Sequence, residues 1–232
     1  MKLLSRKAQN KSEALVNLIA HHNPKSPITE QYRLIRTNIE FASVDKQIKS
    51  IVVTSPRPAD GKSTIAANLA IVLAQQEKKV LLVDADLRKP SVHYTFNVNN
   101  LQGLTNMLTK QISLDNAVFQ TNISNLNILT SGPIPPSPSE LLNSRTMEST
   151  LEELKSKFDY IIFDTPPVLA VTDPQILASK CDGIVMVLSS GKTNKNEAIK
   201  TKELLQKTKT PLLGVVLNRF ESKTNKYDYL YK

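Results

Sequence analysis

Three short clusters of charged and hydroxyl residues carry the chemistry that this chain can do. Asp60-Gly61-Lys62-Ser63-Thr64 follows the apolar run SIVVTS and opens STIAANLAIVLAQQ, which is apolar at helical spacing. Gly61 lets a backbone approach a phosphate, and the next amides point out of a helix N-terminus, where the macrodipole favours an anion. Lys62 has the reach for β- and γ-phosphates, and the Ser63 hydroxyl can ligate Mg²⁺. Asp84 and Asp86 stand two apart at the end of KKVLLVDAD, and Asp164 lies within FDYIIFDTPP. A single acid at a strand end is ordinarily a solvated loop residue or a helix cap. Three at the C-terminal rim of two apolar strands match the place where open α/β sheets hold ligands. A triphosphate also needs Mg²⁺, held by carboxylates directly or through water. The set predicts a nucleotide site with Asp60, Gly61, Lys62, Ser63 and Thr64 as its cradle. Pro56 stands where the usual phosphate loop begins with glycine, so the strict pattern is imperfectly met.

These residues need a scaffold, and the chain supplies an alternation. Runs at 50–55, 78–86, 126–132, 158–167, 183–190 and 212–218 are rich in β-branched residues and almost continuously apolar. Strands buried on both faces of a parallel sheet read this way. Between them lie STIAANLAIVLAQQ, SRTMESTLEELKSK, DPQILASKC and NKNEAIKTKELLQK, each with helical periodicity. The expectation is an α/β fold of one domain, a doubly wound, mainly parallel sheet flanked by helices. SGPIPPSPSE (131–140) is expected as a surface loop. SPITEQYRLIRTNIEFA (26–42) is expected as a helix, with Ser26 as N-cap and Pro27 in the first turn. Residues 1–25 and 221–232 lack strong periodicity, and mobile tails are expected at both ends of a 26–220 domain.

Composition narrows the class further. At 232 residues the chain can bury one sizeable core, and no apolar run reaches the length of a membrane span. The basic N-terminus has no apolar stretch of the kind a signal peptide needs. Cys181 is the one cysteine, which excludes an internal disulfide framework and suits a reducing cytoplasm. The net charge of +9 fits a lysine-rich solvated surface as well as attraction to an anionic partner. No aromatics are interleaved with the lysines as a stacking platform for nucleic acid requires, and no nucleic-acid partner is expected.

DGKST, LLVDADLRKP and IIFDTPP together resemble the Walker A, A′ and B motifs of the bacterial tyrosine kinases. That family is related to the MinD/ParA group of P-loop ATPases. The similarity extends from EQYRLIRTNIEFAS through LTSGPIPPSPSELL to the C-terminal tail. It is close to the form found in Gram-positive capsule and exopolysaccharide systems, where kinase and membrane activator are separate chains. The H-R-D and D-F-G signatures of eukaryotic protein kinases are absent. The resemblance implies ATP and Mg²⁺ as cofactors, with Asp86 as the base and Asp84 and Asp164 handling the metal and its waters. It also implies partners: a homo-oligomeric ring, the cytoplasmic tail of a membrane-embedded polysaccharide co-polymerase, protein tyrosine substrates and a cognate phosphotyrosine phosphatase. Its expected place is cytoplasmic, at the inner face of the membrane through that partner.

The tail NKYDYLYK holds three of only six tyrosines, Tyr227, Tyr229 and Tyr231. A phenol with a pKa near 10 is a poor nucleophile until a base takes its proton. Spaced by two, these rings leave one side of an extended segment, so a small register slip could present each in turn. The resemblance implies that they are phosphoacceptors, entering a neighbouring subunit's site. The alternative is a tail docked on its own domain. EQYRLIR carries the family's E-x-x-R-x-x-R pattern as Glu30, Arg33 and Arg36, implying a ring contact; an intrahelical Glu30–Arg33 pair is the plain alternative. Asn218 and Arg219 follow the last strand, where related ATPases recognise adenine, or else form a polar strand cap.

Two other readings share the phosphate site. A MinD/ParA-like switch would use ATP to drive dimerisation, but such proteins normally carry a further early lysine, and PRPADGK offers only Arg57 there. A degenerate nucleotide-binding scaffold is the third, and the joint presence of Lys62, Asp84, Asp86 and Asp164 argues against it.

Overall fold

The computed structural model describes residues 16–42 and 47–220. Seven strands, β1 (Ser50–Thr54), β2 (Val80–Asp84), β3 (Val118–Gln120), β4 (Leu126–Leu129), β5 (Tyr160–Asp164), β6 (Gly183–Ser189) and β7 (Leu212–Asn218), form one sheet in the order β3-β4-β2-β5-β1-β6-β7. All neighbouring pairs are parallel except β3 with β4. The α/β expectation therefore holds, with a single antiparallel edge strand that the apolar pattern does not reveal, because three half-exposed residues carry no periodicity.

The apolar runs are explained by their place in the sheet. Every residue of β1 and β2 is buried, since helices cover both faces. One core packs around α3 (Lys62–Ala74), whose residues 65–74 are all buried, and the other lies under helices Arg145–Lys157 and Asp173–Ala178. A helix apolar all round has to be enclosed in this way. β7 departs from the expected two-sided burial: Val215 and Leu217 are each 51% exposed, because β7 is the sheet's far edge.

Helix α2 (Pro27–Ala42) begins as expected, with the Ser26 hydroxyl accepting the Thr29 amide at 3.0 Å. The expected start of the folded body at residue 26 is corrected. Residues 16–25 pack against α3, through buried Leu18 and Ala20 and the short helix α1 (Ile19–His22). The buried Asn68 carboxamide of α3 accepts the Ala20 amide at 2.9 Å and donates to the Asn17 carbonyl at 2.8 Å, while Gln75 donates to the Ala20 carbonyl at 2.9 Å. A ten-residue stretch with two polar anchors carries no periodic signal, which is why pattern alone assigns it to a tail. SGPIPPSPSE is also only partly superficial: Ser131 and Gly132 are buried, bonded to the Asn100 side chain, and Pro138 starts a helix that ends at Leu142.

Candidate active site

The phosphate loop leaves β1 and enters α3 at the C-terminal edge of the sheet. The residues in it with positive φ are Ala59 at 65° and Gly61 at 98°, so Pro56 sits where no left-handed backbone is required. A Cβ on Gly61 would lie 2.0 Å from the Asn218 carboxamide nitrogen, so this glycine answers to both its backbone angle and its neighbour. The Asp60 carboxylate is buried and turned into the loop: Oδ2 accepts the Arg57 amide at 3.0 Å, and Oδ1 accepts the Thr193 hydroxyl at 3.2 Å. Asp60 therefore shapes the cradle with its side chain. It does not aim that charge at a phosphate.

The acids arrive by sheet registry. β5 lies between β1 and β2, and Asp164 pairs in register with Asp84 on one side and Val53 on the other. Lys62 projects from the first turn of α3 toward them. Its Nζ lies 3.4 Å from Asp164 Oδ1, 3.5 Å from Asp86 Oδ2 and 3.1 Å from the Ser63 hydroxyl. Asp84 is committed to the next loop, its Oδ1 accepting the Asp86 amide at 3.2 Å and its Oδ2 the amides of Ser91 and Val92 at 2.8 and 2.9 Å. Asp86 Oδ1 accepts the amides of Arg88 and Lys89, leaving Oδ2 toward Lys62. Arg88 in turn is gripped by the fully buried Asp173 through two parallel bonds of 2.8 and 3.0 Å.

One ammonium thus faces three carboxylates with little solvent. Burial pushes Asp84 and Asp164 above the usual carboxylate range, with the Asp164 charge adding to the shift at Asp84 and the Lys62 ammonium opposing both. Burial alone would lower Lys62, but Asp164, Asp86 and Asp84 outweigh it and raise its pKa. Such a site is short of positive charge. The second oxygen of Asp164, Oδ2, is buried and has no hydrogen-bond partner. An orphaned carboxylate oxygen beside a hydroxyl-bearing phosphate loop fits a hard divalent cation. No group of three or more His, Cys, Asp or Glu forms a complete metal cage among the described residues. Mg²⁺ does not require one, since it keeps waters and takes phosphate oxygens.

Other expected residues are placed differently. Asn218 reaches the loop, donating to the Asp60 carbonyl at 2.9 Å, whereas Arg219 donates to the Ser189 hydroxyl at the end of β6 at 3.4 Å. On α2, Glu30 and Arg33 form the intrahelical pair. Arg36, named with them in the ring-contact pattern, donates to the Val72 carbonyl of α3 at 2.9 Å, and its side chain is only 14% exposed. Tyr227, Tyr229 and Tyr231 lie outside the described residues. The Arg88–Asp173 clamp, Thr193 and Asn68 escape motif reading. Thr193 had one available signal, a hydroxyl just past a strand that ends at the same rim as β1.

Comparison with known proteins places this geometry among relatives. The model of the AAA domain family matches residues 48–213. The chain is 56% identical over 214 residues to tyrosine-protein kinase YwqD of Bacillus subtilis (strain 168), covering 92% of this chain and 90% of that one. Its fold matches the crystal structure of the chimerical protein CapA2B2 with a TM-score of 0.86 at 48% identity, over 88% of this chain and 90% of that one. It also matches the septum site-determining protein MinD complexed with Mg-ADP from Pyrococcus horikoshii OT3, with a TM-score of 0.65 at 25% identity, over 75% and 72%.

Proposed function

The chain belongs to the bacterial tyrosine-protein kinases, and we propose that it autophosphorylates Tyr227, Tyr229 and Tyr231 in trans within a ring of its own copies. The observation that carries the proposal is the convergence of Lys62 on Asp86 and Asp164, at 3.5 and 3.4 Å, beside a glycine-built phosphate loop. ATP is the phosphoryl donor in this reading, with the amides after Gly61 and the hydroxyls of Ser63 and Thr64 around its phosphates. Mg²⁺ held by Ser63 and Asp164, with Asp84 on its waters, would neutralise charge on the transferred group.

The chain's own residues do the rest by position. Lys62 stabilises charge that develops on the departing phosphate oxygens. Asp86 presents Oδ2 to take the proton of an incoming phenol, while its Oδ1 stays fixed by two backbone amides. Asp164, paired with Lys62 through Oδ1, would offer its other oxygen to the metal. Asn218, bonded to the Asp60 carbonyl, and Arg219 beyond it would hold the adenine base. The likeness to MinD complexed with Mg-ADP supports a nucleotide as ligand.

The ring contact in this proposal runs along α2, where Glu30 and Arg33 are accessible and Arg36 stiffens the helix against α3. Each phosphotyrosine adds nearly two negative charges. Several on one tail, brought beside the site's carboxylates, drive it out and loosen the ring, so a phosphatase resets the cycle. The chain works at the inner face of the membrane through the cytoplasmic tail of an activator, in control of capsule or exopolysaccharide synthesis. No helix among the described residues is long and apolar enough to cross a membrane.

Incubation with Mg-ATP and the activator's tail peptide, followed by phosphosite mapping, tests the proposal. Tail phosphotyrosine that vanishes in Lys62→Met and in the Tyr227/Tyr229/Tyr231→Phe variant supports it. ATP hydrolysis without phosphotyrosine instead supports a MinD-like switch. Unphosphorylated and phosphorylated forms should run as oligomer and monomer, and equal masses would defeat the self-limiting cycle.

A further inference from the structure

Asp60 sets a negative charge inside a loop built to receive an anion, and 98% of the residue is withdrawn from solvent. That charge is kept out of the cradle by partners on two segments, and a third segment holds the Asp60 backbone. Oδ2 takes the Arg57 amide at 3.0 Å within the loop, and Oδ1 takes the Thr193 hydroxyl at 3.2 Å from the segment after β6. The Asp60 carbonyl takes the Asn218 carboxamide at 2.9 Å from the end of β7. Thr193 is itself fixed, because its oxygen accepts the Ser189 amide at 2.9 Å. A second tie runs alongside: Glu197 Oε1 pairs with Arg57 Nε at 2.8 Å, while Oε2 accepts the Asn194 amide and caps helix Lys195–Gln206.

We propose that Thr193 and Glu197 are positioning residues that hold the phosphate loop in its anion-binding shape, registering it against Asn218 so that nucleotide affinity depends on the segment after β6. Neither residue touches the reacting atoms. Thr193 uses both capacities of its hydroxyl, donating to Asp60 and accepting from Ser189, so no methyl can replace it. With that donor gone, the buried Asp60 oxygen loses its one partner outside the loop and is free to swing toward the phosphates. The tie between Arg57 and Glu197 holds the tip of the loop, where Ala59 takes a left-handed backbone at φ 65°.

The inference rests on the nucleotide-site reading alone and is independent of where phosphate is delivered. Its test is a fluorescence titration of the full chain with an N-methylanthraniloyl derivative of ADP and Mg²⁺. Thr193→Val is expected to weaken binding about tenfold, as loss of a bond to a charged group should. Thr193→Ser, which keeps the hydroxyl, is expected to stay within about threefold of wild type. Glu197→Gln keeps the capping oxygen but loses the ion pair, and should weaken binding about threefold. Wild-type affinity in Thr193→Val would overturn the inference, as would a serine variant as weak as the valine one, since that marks a packing role. If Thr193→Val does not fold, Glu197→Gln decides, and unchanged affinity there overturns it. A wild-type chain that binds no nucleotide would instead remove the reading beneath it.

Discussion

The Nζ of Lys62 lies 3.4 Å from Oδ1 of Asp164, while the other oxygen of the same buried carboxylate has no protein partner. One side of the carboxylate is thus matched to a fixed cation, and the other is open to a second positive charge. Lys62→Met removes the fixed partner and leaves Asp164 and Asp86 facing each other's charge. Phosphoryl transfer should fall by about 10²–10³-fold, the scale for losing one transition-state electrostatic contact. A steady-state assay of tail phosphorylation measures it.

Gly61→Ala should damage the cradle without touching a charged group. The backbone there has φ 98°, and the added methyl carbon would meet Asn218 at 2.0 Å. A stability loss of about 1–3 kcal/mol follows from the backbone strain. Nucleotide affinity should drop at least about tenfold, because the amides that follow move with the loop. Thermal melts and a nucleotide titration read the two effects separately.

Asn68→Ala tests whether residues 16–25 belong to the folded body. The change strips the Ala20 amide and the Asn17 carbonyl of the Asn68 side chain that partners them. A loss of about 2–3 kcal/mol is expected, or roughly 4–12 °C in melting temperature for a domain of this size. Hydrogen exchange at the Ala20 amide should accelerate. Unchanged protection would show that the segment is held without the Asn68 bonds, by its apolar contacts and the Gln75 bond.

Asp182 provides the pH test, at the opposite edge of the sheet from the site. Its Oδ2 accepts the amides of Lys49 and Ser50 and the Ser50 hydroxyl, and Oδ1 pairs with Lys155 at 2.9 Å. Burial opposes its ionisation, yet the Lys155 and Ser50 bonds win and hold the carboxyl below its ordinary 3.8. A depressed folded-state pKa adds stability above the unfolded value, and that stability is lost as pH falls through the folded one. Asp182→Asn should therefore cost about 1–2 kcal/mol at pH 7. The gap to wild type in melts should begin to narrow below about pH 4 and close as pH falls through the lower folded-state value. A pH-independent gap would mean that the ion pair contributes nothing.

Six of the seven strands and the longer helices were written locally, in runs of Val, Ile and Leu, in Ser26 before Pro27 and in Asn194 three before Glu197, because capping and two-sided burial act over a few residues. The same holds for Gly61-Lys62-Ser63 and for the acids at 84, 86 and 164, whose chemistry is a matter of residue type at a strand end. What the chain could not declare by pattern was adjacency. Placing β5 between β1 and β2 set Asp164 beside Asp84 and within reach of Lys62, and only the sheet's registry decides that. Tertiary contact also turned Arg36 inward onto Val72, anchored residues 17–20 on Asn68, and brought Thr193 to Asp60 across 133 positions of sequence. A side chain's type can be read at one position, but its partner is fixed by packing of segments distant in the chain, where lost solvation drives most buried polar groups to find a mate.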